Sequence, residues 1–210
     1  MDAFQTTLTI LDFAAVFVFG ATGALAAARR KHDIVTFGFF AAVTGVGGGT
    51  LRDLLIDAPV FWVARPGYIV ACLAAGLVVW GFGAGRFRAR LLIWLDALGM
   101  AAYAVVGAAK AMSLGVPPLP AVIMGVLTAT FGGIIRDVLA EEPSVLLRRE
   151  VYVSAALVGA SVYVLALSAG IAALPAGLAG FAAALTVRGG AILFGWSLPG
   201  FPGRAQTEDR

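Results

Sequence analysis

Apolar residues run through this chain in blocks long enough to cross a bilayer, and the polar positions fall between the blocks instead of alternating with them. A hydrocarbon core of ~30 Å takes about 20 helical residues. Stretches of that order cover residues 8–28, 34–55, 67–85, 91–112, 117–139 and 151–170, and a seventh covers 171–187. The last two form one uncharged run, residues 151–187, which as a single helix would reach about 55 Å at ~1.5 Å per residue. That is too long for one crossing, so Gly170 and Pro175 mark a turn between two helices. The pattern predicts an all-α integral membrane protein of seven transmembrane helices joined by loops too short to hold a soluble domain.

The charges orient it. With seven crossings, the side that carries the N-terminus holds Arg52, Arg65 and Lys110, and the other side holds the remaining 12 of the 15 basic residues. These are Arg29, Arg30, Lys31, Arg86, Arg88, Arg90, Arg136, Arg148, Arg149, Arg188, Arg204 and Arg210. Basic residues stay on the cytoplasmic side, so the N-terminus is expected outside and the C-terminus inside, in a bacterial-type inner membrane. Arg29, Arg30 and Lys31 follow the first span and only Asp2 precedes it, the reverse of a cleaved signal peptide.

Composition narrows the function. Apolar residues make up 60% of the chain and charged ones 13%, with a mean hydropathy of +0.95, too little polarity to coat a water-soluble particle. Cys72 can form no intramolecular disulfide and His32 no multi-histidine metal site. No nucleophile elbow, zinc-binding helix or phosphate loop is present. Neither an enzyme nor a bound cofactor is expected. The net charge of +3 reports cytoplasmic anchoring and attraction to membrane lipid, not nucleic acid.

The chain repeats itself at an offset of 84 residues. Residues 44–55, TGVGGGTLRDLL, lie over 128–139, TATFGGIIRDVL, and without a gap Asp12 falls on Asp96, Asp57 on Glu141, Pro59 on Pro143, Arg65 on Arg149 and Tyr68 on Tyr152. The first repeat is residues 8–85 and the second 91–170; residues 171–187 are an extra span and 188–210 a cytoplasmic tail. Three spans per repeat is an odd number, so the second copy must enter from the opposite side, the inverted arrangement of secondary transporters and some channels.

The second and fifth spans carry the candidate chemistry. Gly47, Gly48 and Gly49, and again Gly132 and Gly133, fall where glycine weakens a helix by ~1 kcal/mol relative to alanine. Either they pack helices closely, or they break the backbone ladder and open carbonyls toward an ion; repetition in both halves favours the break. Thr44, Thr50, Thr128 and Thr130 either line that path or bond to their own helix. Adjacent residues do not share a helix face, so Arg52 is expected to pair with Asp12, and Arg136 with Asp96, as structural braces. Asp53 and Asp137 are then left to attract cations at the two mouths. Lys110, whose counterpart is Ala26, either snorkels at the outer end of the fourth span or acts as a gate.

These paired glycine and Arg-Asp motifs, on three plus three plus one spans, resemble prokaryotic members of the trimeric intracellular cation (TRIC) channel family. The resemblance covers residues 8 to about 187. It implies a homotrimer with one potassium- and sodium-permeable pore per subunit, bounded by kinked second and fifth spans, with no cofactor beyond the transported ion. Animal members bind phosphoinositide at the second-span motif through basic residues, a pattern from which this glycine-rich version departs. The bacterial family also carries the label of glycine transporters, so the alternative is a secondary carrier of glycine or another small amino acid.

Overall fold

The structure, a computed structural model, describes residues 3–82, 88–144 and 151–199. Among them are the helices α1 (Ala3–Arg29), α2 (Ile34–Leu55), α3 (Phe61–Ala64), α4 (Gly67–Phe82), α5 (Arg88–Ser113), α6 (Pro118–Leu139), α7 (Val153–Ser168) and α8 (Ala173–Phe194). Helices α1, α2, α5, α6 and α8 are long and apolar enough to cross a membrane, whereas α4 and α7 are apolar but of 16 residues each. At ~1.5 Å per residue these two reach only about 24 Å. They are the third helix of each repeat. The four-residue α3, between α2 and α4, had no signal in the hydrophobic pattern.

Local chemistry sets the ends. Asp33 caps α2 by accepting the Thr36 amide at 2.8 Å, and Pro118 opens α6, where its missing N–H is harmless. Helices α2 and α6 close in the same way. The amides of Ile56 and Ala58 return to the carbonyls of Arg52 and Asp53, and those of Ala140 and Glu142 to Arg136 and Asp137. The closing residues Asp57 and Glu141, equivalent in the repeat, both adopt φ 51°. Between α7 and α8 the chain turns at Gly170, φ 86°, while Pro175 lies inside the first turn of α8.

Each repeat is a packed triplet, α1–α2–α4 or α5–α6–α7, and the two meet through α1 against α5 and α2 against α6, with α8 lying on α5 and α7. Arg29, at the C-terminal end of α1, bonds Glu142 just beyond α6 at 2.6 Å; Lys110, near the end of α5, bonds Asp53 near the end of α2 at 2.7 Å. The C-terminal ends of α1 and α6 therefore share one end of the bundle and those of α2 and α5 the other, so the triplets run antiparallel. Fully buried alanines such as Ala24, Ala27, Ala104 and Ala108 allow the close approach. Polarity is distributed inside-out. Val35, Leu119, Leu165 and Leu193 face outward, while Arg52, Asp53, Asp96 and Arg136 are buried, as suits a protein whose outer solvent is lipid.

The expected start of the tail is corrected. Helix α8 continues to Phe194, and Arg188 is a buried residue within it, its guanidinium 5.1 Å from the centre of the Tyr152 ring. The aromatic face gives this cation a partner inside the helix bundle. Arg86, Arg148, Arg149, Arg204 and Arg210 lie outside the described residues.

Candidate functional site

The glycine motifs of α2 and α6 meet at a crossing. A Cβ built on Gly48 would lie 2.1 Å from the Thr128 carbonyl oxygen, and one on Gly132 would lie 2.4 Å from that of Thr44. Because Gly48 is equivalent to Gly132 and Thr44 to Thr128, the two contacts are reciprocal, which is what a two-fold axis between the repeats produces. The expected break is absent. Both helices remain α-helical through Gly47, Gly48, Gly49, Gly132 and Gly133, and none of these glycines has positive φ. The physical reason is the packing itself, since only hydrogen in place of a side chain lets the two backbones touch.

The threonines divide. Thr50, Thr128 and Thr130 donate to the carbonyls of Val46, Met124 and Val126 at 2.6–2.9 Å, and Thr50 also accepts from the Trp62 indole at 2.9 Å. Thr44 Oγ1 is buried at the crossing with no hydrogen-bond partner among the described residues.

Charged clusters occupy both ends of the crossing helices. In the second repeat, Arg136 bonds Asp96 at 2.5 Å, Asp137 at 2.8 Å and the Thr22 hydroxyl at 3.2 Å. The pairing expected between Arg136 and Asp96 is thus present. In the first repeat it is not. Arg52 pairs with Asp53 at 2.8 Å, and Asp12 accepts from the Tyr68 hydroxyl at 2.8 Å; no Arg52–Asp12 ion pair occurs among the described residues. The bonds of Arg52 and Arg136 to their own neighbours also correct the expectation drawn from helix faces. At a helix end the long arginine side chain can fold along the axis, and in a dry interior the nearest carboxylate dominates.

Asp53 and Asp137 are accordingly not open attractors at the mouths. They are 0% and 4% exposed. One Asp53 oxygen is shared by Arg52 and Lys110, and the other accepts the Phe61 amide at 2.9 Å. This last contact is what α3 provides. Lys110 neither snorkels freely nor stands alone: its side chain is 29% exposed and its ammonium bridges α5 to α2.

A cavity of about 650 Å³ opens beside this cluster, lined by Asp12, Phe61, Arg65, Tyr68, Lys110 and Tyr163 among others. Phe13 stacks on Tyr68 with ring centres 4.0 Å apart, and Phe61 meets the same ring edge-on, so aromatic packing backs the wall that holds Asp12. The roles of Thr22, Phe61 and Tyr68 escaped the sequence; for Tyr68 the signal was its register with Tyr152.

Comparison with known proteins agrees with this architecture. The family model described as "Glycine transporter" matches the chain twice, over residues 9–84 and 93–168, starts that differ by 84. A UPF0126 membrane protein of Vibrio cholerae is 38% identical over 203 residues, covering 92% of this chain and 82% of the relative. The UPF0126 inner membrane protein YadS of Escherichia coli K12 is 39% identical, covering 73% and 75%. Among solved structures, the TRIC trimeric intracellular cation channel orthologue from Rhodobacter sphaeroides superposes with a TM-score of 0.89 at 46% identity, over 91% of this chain and 100% of that one. A structure described in connection with conductance through TRIC cation channels gives 0.82 at 29% identity, over 94% and 98%. Sequence and fold together make this a multi-pass inner-membrane protein that belongs to the prokaryotic TRIC family, whose sequence model is described as a glycine transporter.

Proposed function

We propose that this chain is a monovalent cation channel, permeable to potassium and sodium, with one pathway in each subunit of a homotrimer. The observation that carries this is the 46% identity, across nearly the whole chain, to a protein described as a trimeric intracellular cation channel. In this reading seven helices, α1, α2, α4, α5, α6, α7 and α8, cross the membrane as two inverted triplets plus α8, with the N-terminus outside. The doubled match of the family model and the antiparallel triplets support it.

The path runs along the contact of α2 with α6. The 650 Å³ cavity forms its outer vestibule, where the Asp12 carboxylate faces a hydrated cation and Lys110 stands as the gate. The conformation described is closed, because the Gly48–Thr128 and Gly132–Thr44 contacts leave no room between the backbones. Conduction then requires α2 and α6 to part, with threonine hydroxyls and carbonyls replacing part of the ion's water. Fixed protein dipoles suffice for this, and no bound cofactor is needed.

Purified protein in planar bilayers should give unitary potassium currents. Saturable glycine uptake into proteoliposomes without such currents would establish the carrier instead.

A further inference from the structure

Phe19 and Tyr103 are separated by 84 residues, so they are the same position in the two repeats. Their rings stack on each other with centres 5.2 Å apart at 16°. A residue that touches its own repeat copy lies on the two-fold axis relating the copies. Both side chains are almost fully buried, at 1% and 2%. The pair also adjoins the α2–α6 crossing: a Cβ on Gly132 would sit 3.8 Å from Phe19 Cδ1, and the Tyr103 hydroxyl donates to the Gly45 carbonyl at 3.3 Å. A Cβ on Gly99 would meet the Phe19 ring at 2.9 Å, so the ring is held from its far side as well.

A route that the two-fold maps onto itself must cross the axis, and it does so at its midpoint. The residues there are not chemically symmetric. Tyr103 has a hydroxyl, Phe19 has none, and the equivalent of Gly45 is Ala129. We propose that Phe19 and Tyr103 form the midpoint constriction of the cation path, with the Tyr103 phenol oxygen as the side-chain ligand that a partly dehydrated cation meets there. This rests on the channel reading above. On opening, the Tyr103 hydroxyl leaves the Gly45 carbonyl, exposing two oxygens to the ion at the level where water is scarcest.

The test is Tyr103→Phe, which removes one oxygen and leaves the stacked ring. Unitary potassium conductance in planar bilayers is expected to fall about fivefold, the rate equivalent of one lost hydrogen-bond-strength contact, while the thermal melting of the trimer stays within the ordinary range of a conservative substitution. Wild-type conductance in Tyr103→Phe overturns the proposal. If that variant yields no folded protein, Phe19→Tyr replaces it, supporting the proposal by raised conductance or altered potassium-to-sodium preference and overturning it if neither changes. Silence of the wild-type protein in the same bilayers would instead sink the channel reading, so the two failures are distinguishable.

Discussion

Lys110 Nζ lies 2.7 Å from Asp53 Oδ1, so a lysine of the second repeat neutralises a carboxylate of the first. The contact has no symmetric copy, because the residue equivalent to Lys110 is Ala26; from the same helix Thr22 bonds Arg136 instead. Two nearly equivalent clusters thereby acquire different mechanics. The Arg136 cluster is dry, with exposures of 0–4%, whereas the Asp53 cluster ends in the Lys110 side chain, which is 29% exposed and lines a cavity.

That asymmetry makes Lys110→Met informative. Asp53 keeps Arg52 and the Phe61 amide, so the fold should persist while the mobile charge disappears. With Lys110 as the gate of the proposed channel, potassium currents in planar bilayers are expected to become less voltage-dependent in this variant, since a displaced unit charge couples to the field at up to ~2.3 kcal/mol per 100 mV. They should also be larger at low salt. The second effect is expected to vanish near 1 M salt, where the screening length is about 3 Å.

The two repeat-equivalent carboxylates, Asp12 and Asp96, should differ sharply in what they stabilise. Asp96 is an ionic partner of the buried Arg136, and its removal leaves that cation undercompensated; Asp12 is bonded to neutral Tyr68. Breaking a buried ion pair from one side costs about 3–5 kcal/mol, and losing a single hydrogen bond about 1 kcal/mol. Asp96→Asn should therefore lower the melting temperature of the detergent-solubilised protein far more than Asp12→Asn. Equal losses would show that Arg136 redistributes fully onto Asp137.

Much of this was legible in the linear pattern, and the rest failed for identifiable reasons. Hydrophobic blocks located α1, α2, α4, α5, α6, α7 and α8, although α4 and α7 are only 16 residues long, and the register of Asp12 with Asp96 and of Gly48 with Gly132 identified the segments that meet. Register says which positions correspond, but not whether two copies of a position share an environment. Asp12 and Asp96 correspond, yet Lys110 changes the charge balance around one and not the other. Glycine in a spanning helix was equally ambiguous. A broken ladder and an intimate crossing call for the same residue, and only the Thr44 and Thr128 carbonyls opposite the glycines decide between them.

Acid should weaken the start of α2 through Asp33. Its carboxylate accepts the Thr36 amide at 2.8 Å, and hydrogen bonds to that backbone hold its pKa below the ordinary carboxylate value. A depressed folded pKa means the cap stabilises fully above the unfolded value and is lost as pH falls through the folded one. The pH dependence of melting between about pH 5 and pH 2 should be shallower in Asp33→Asn, which caps without titrating, than in the wild type. Asp33→Ala should lose both the cap and its pH dependence.

The crossing makes the strictest demand on sequence. A methyl at Gly48 would meet the Thr128 carbonyl oxygen at 2.1 Å, and one at Gly132 the Thr44 carbonyl oxygen at 2.4 Å. In both cases the obstacle is backbone, which cannot rotate away, so the helices must separate. Overpacking of this kind costs about 1–3 kcal/mol. Gly48→Ala and Gly132→Ala are each expected to lower the melting temperature, and by similar amounts because the contacts are reciprocal. Gly81, in the last turn of α4, has nothing within 4 Å of an added Cβ, so Gly81→Ala should be neutral or stabilising by up to about 1 kcal/mol through helix propensity. If α2 and α6 part when the channel opens, the same two crossing variants should also raise open probability in planar bilayers, because the added methyl disfavours the touching state and is accommodated in the separated one. Destabilisation with unchanged open probability would assign the glycines to assembly alone and place the moving contact elsewhere.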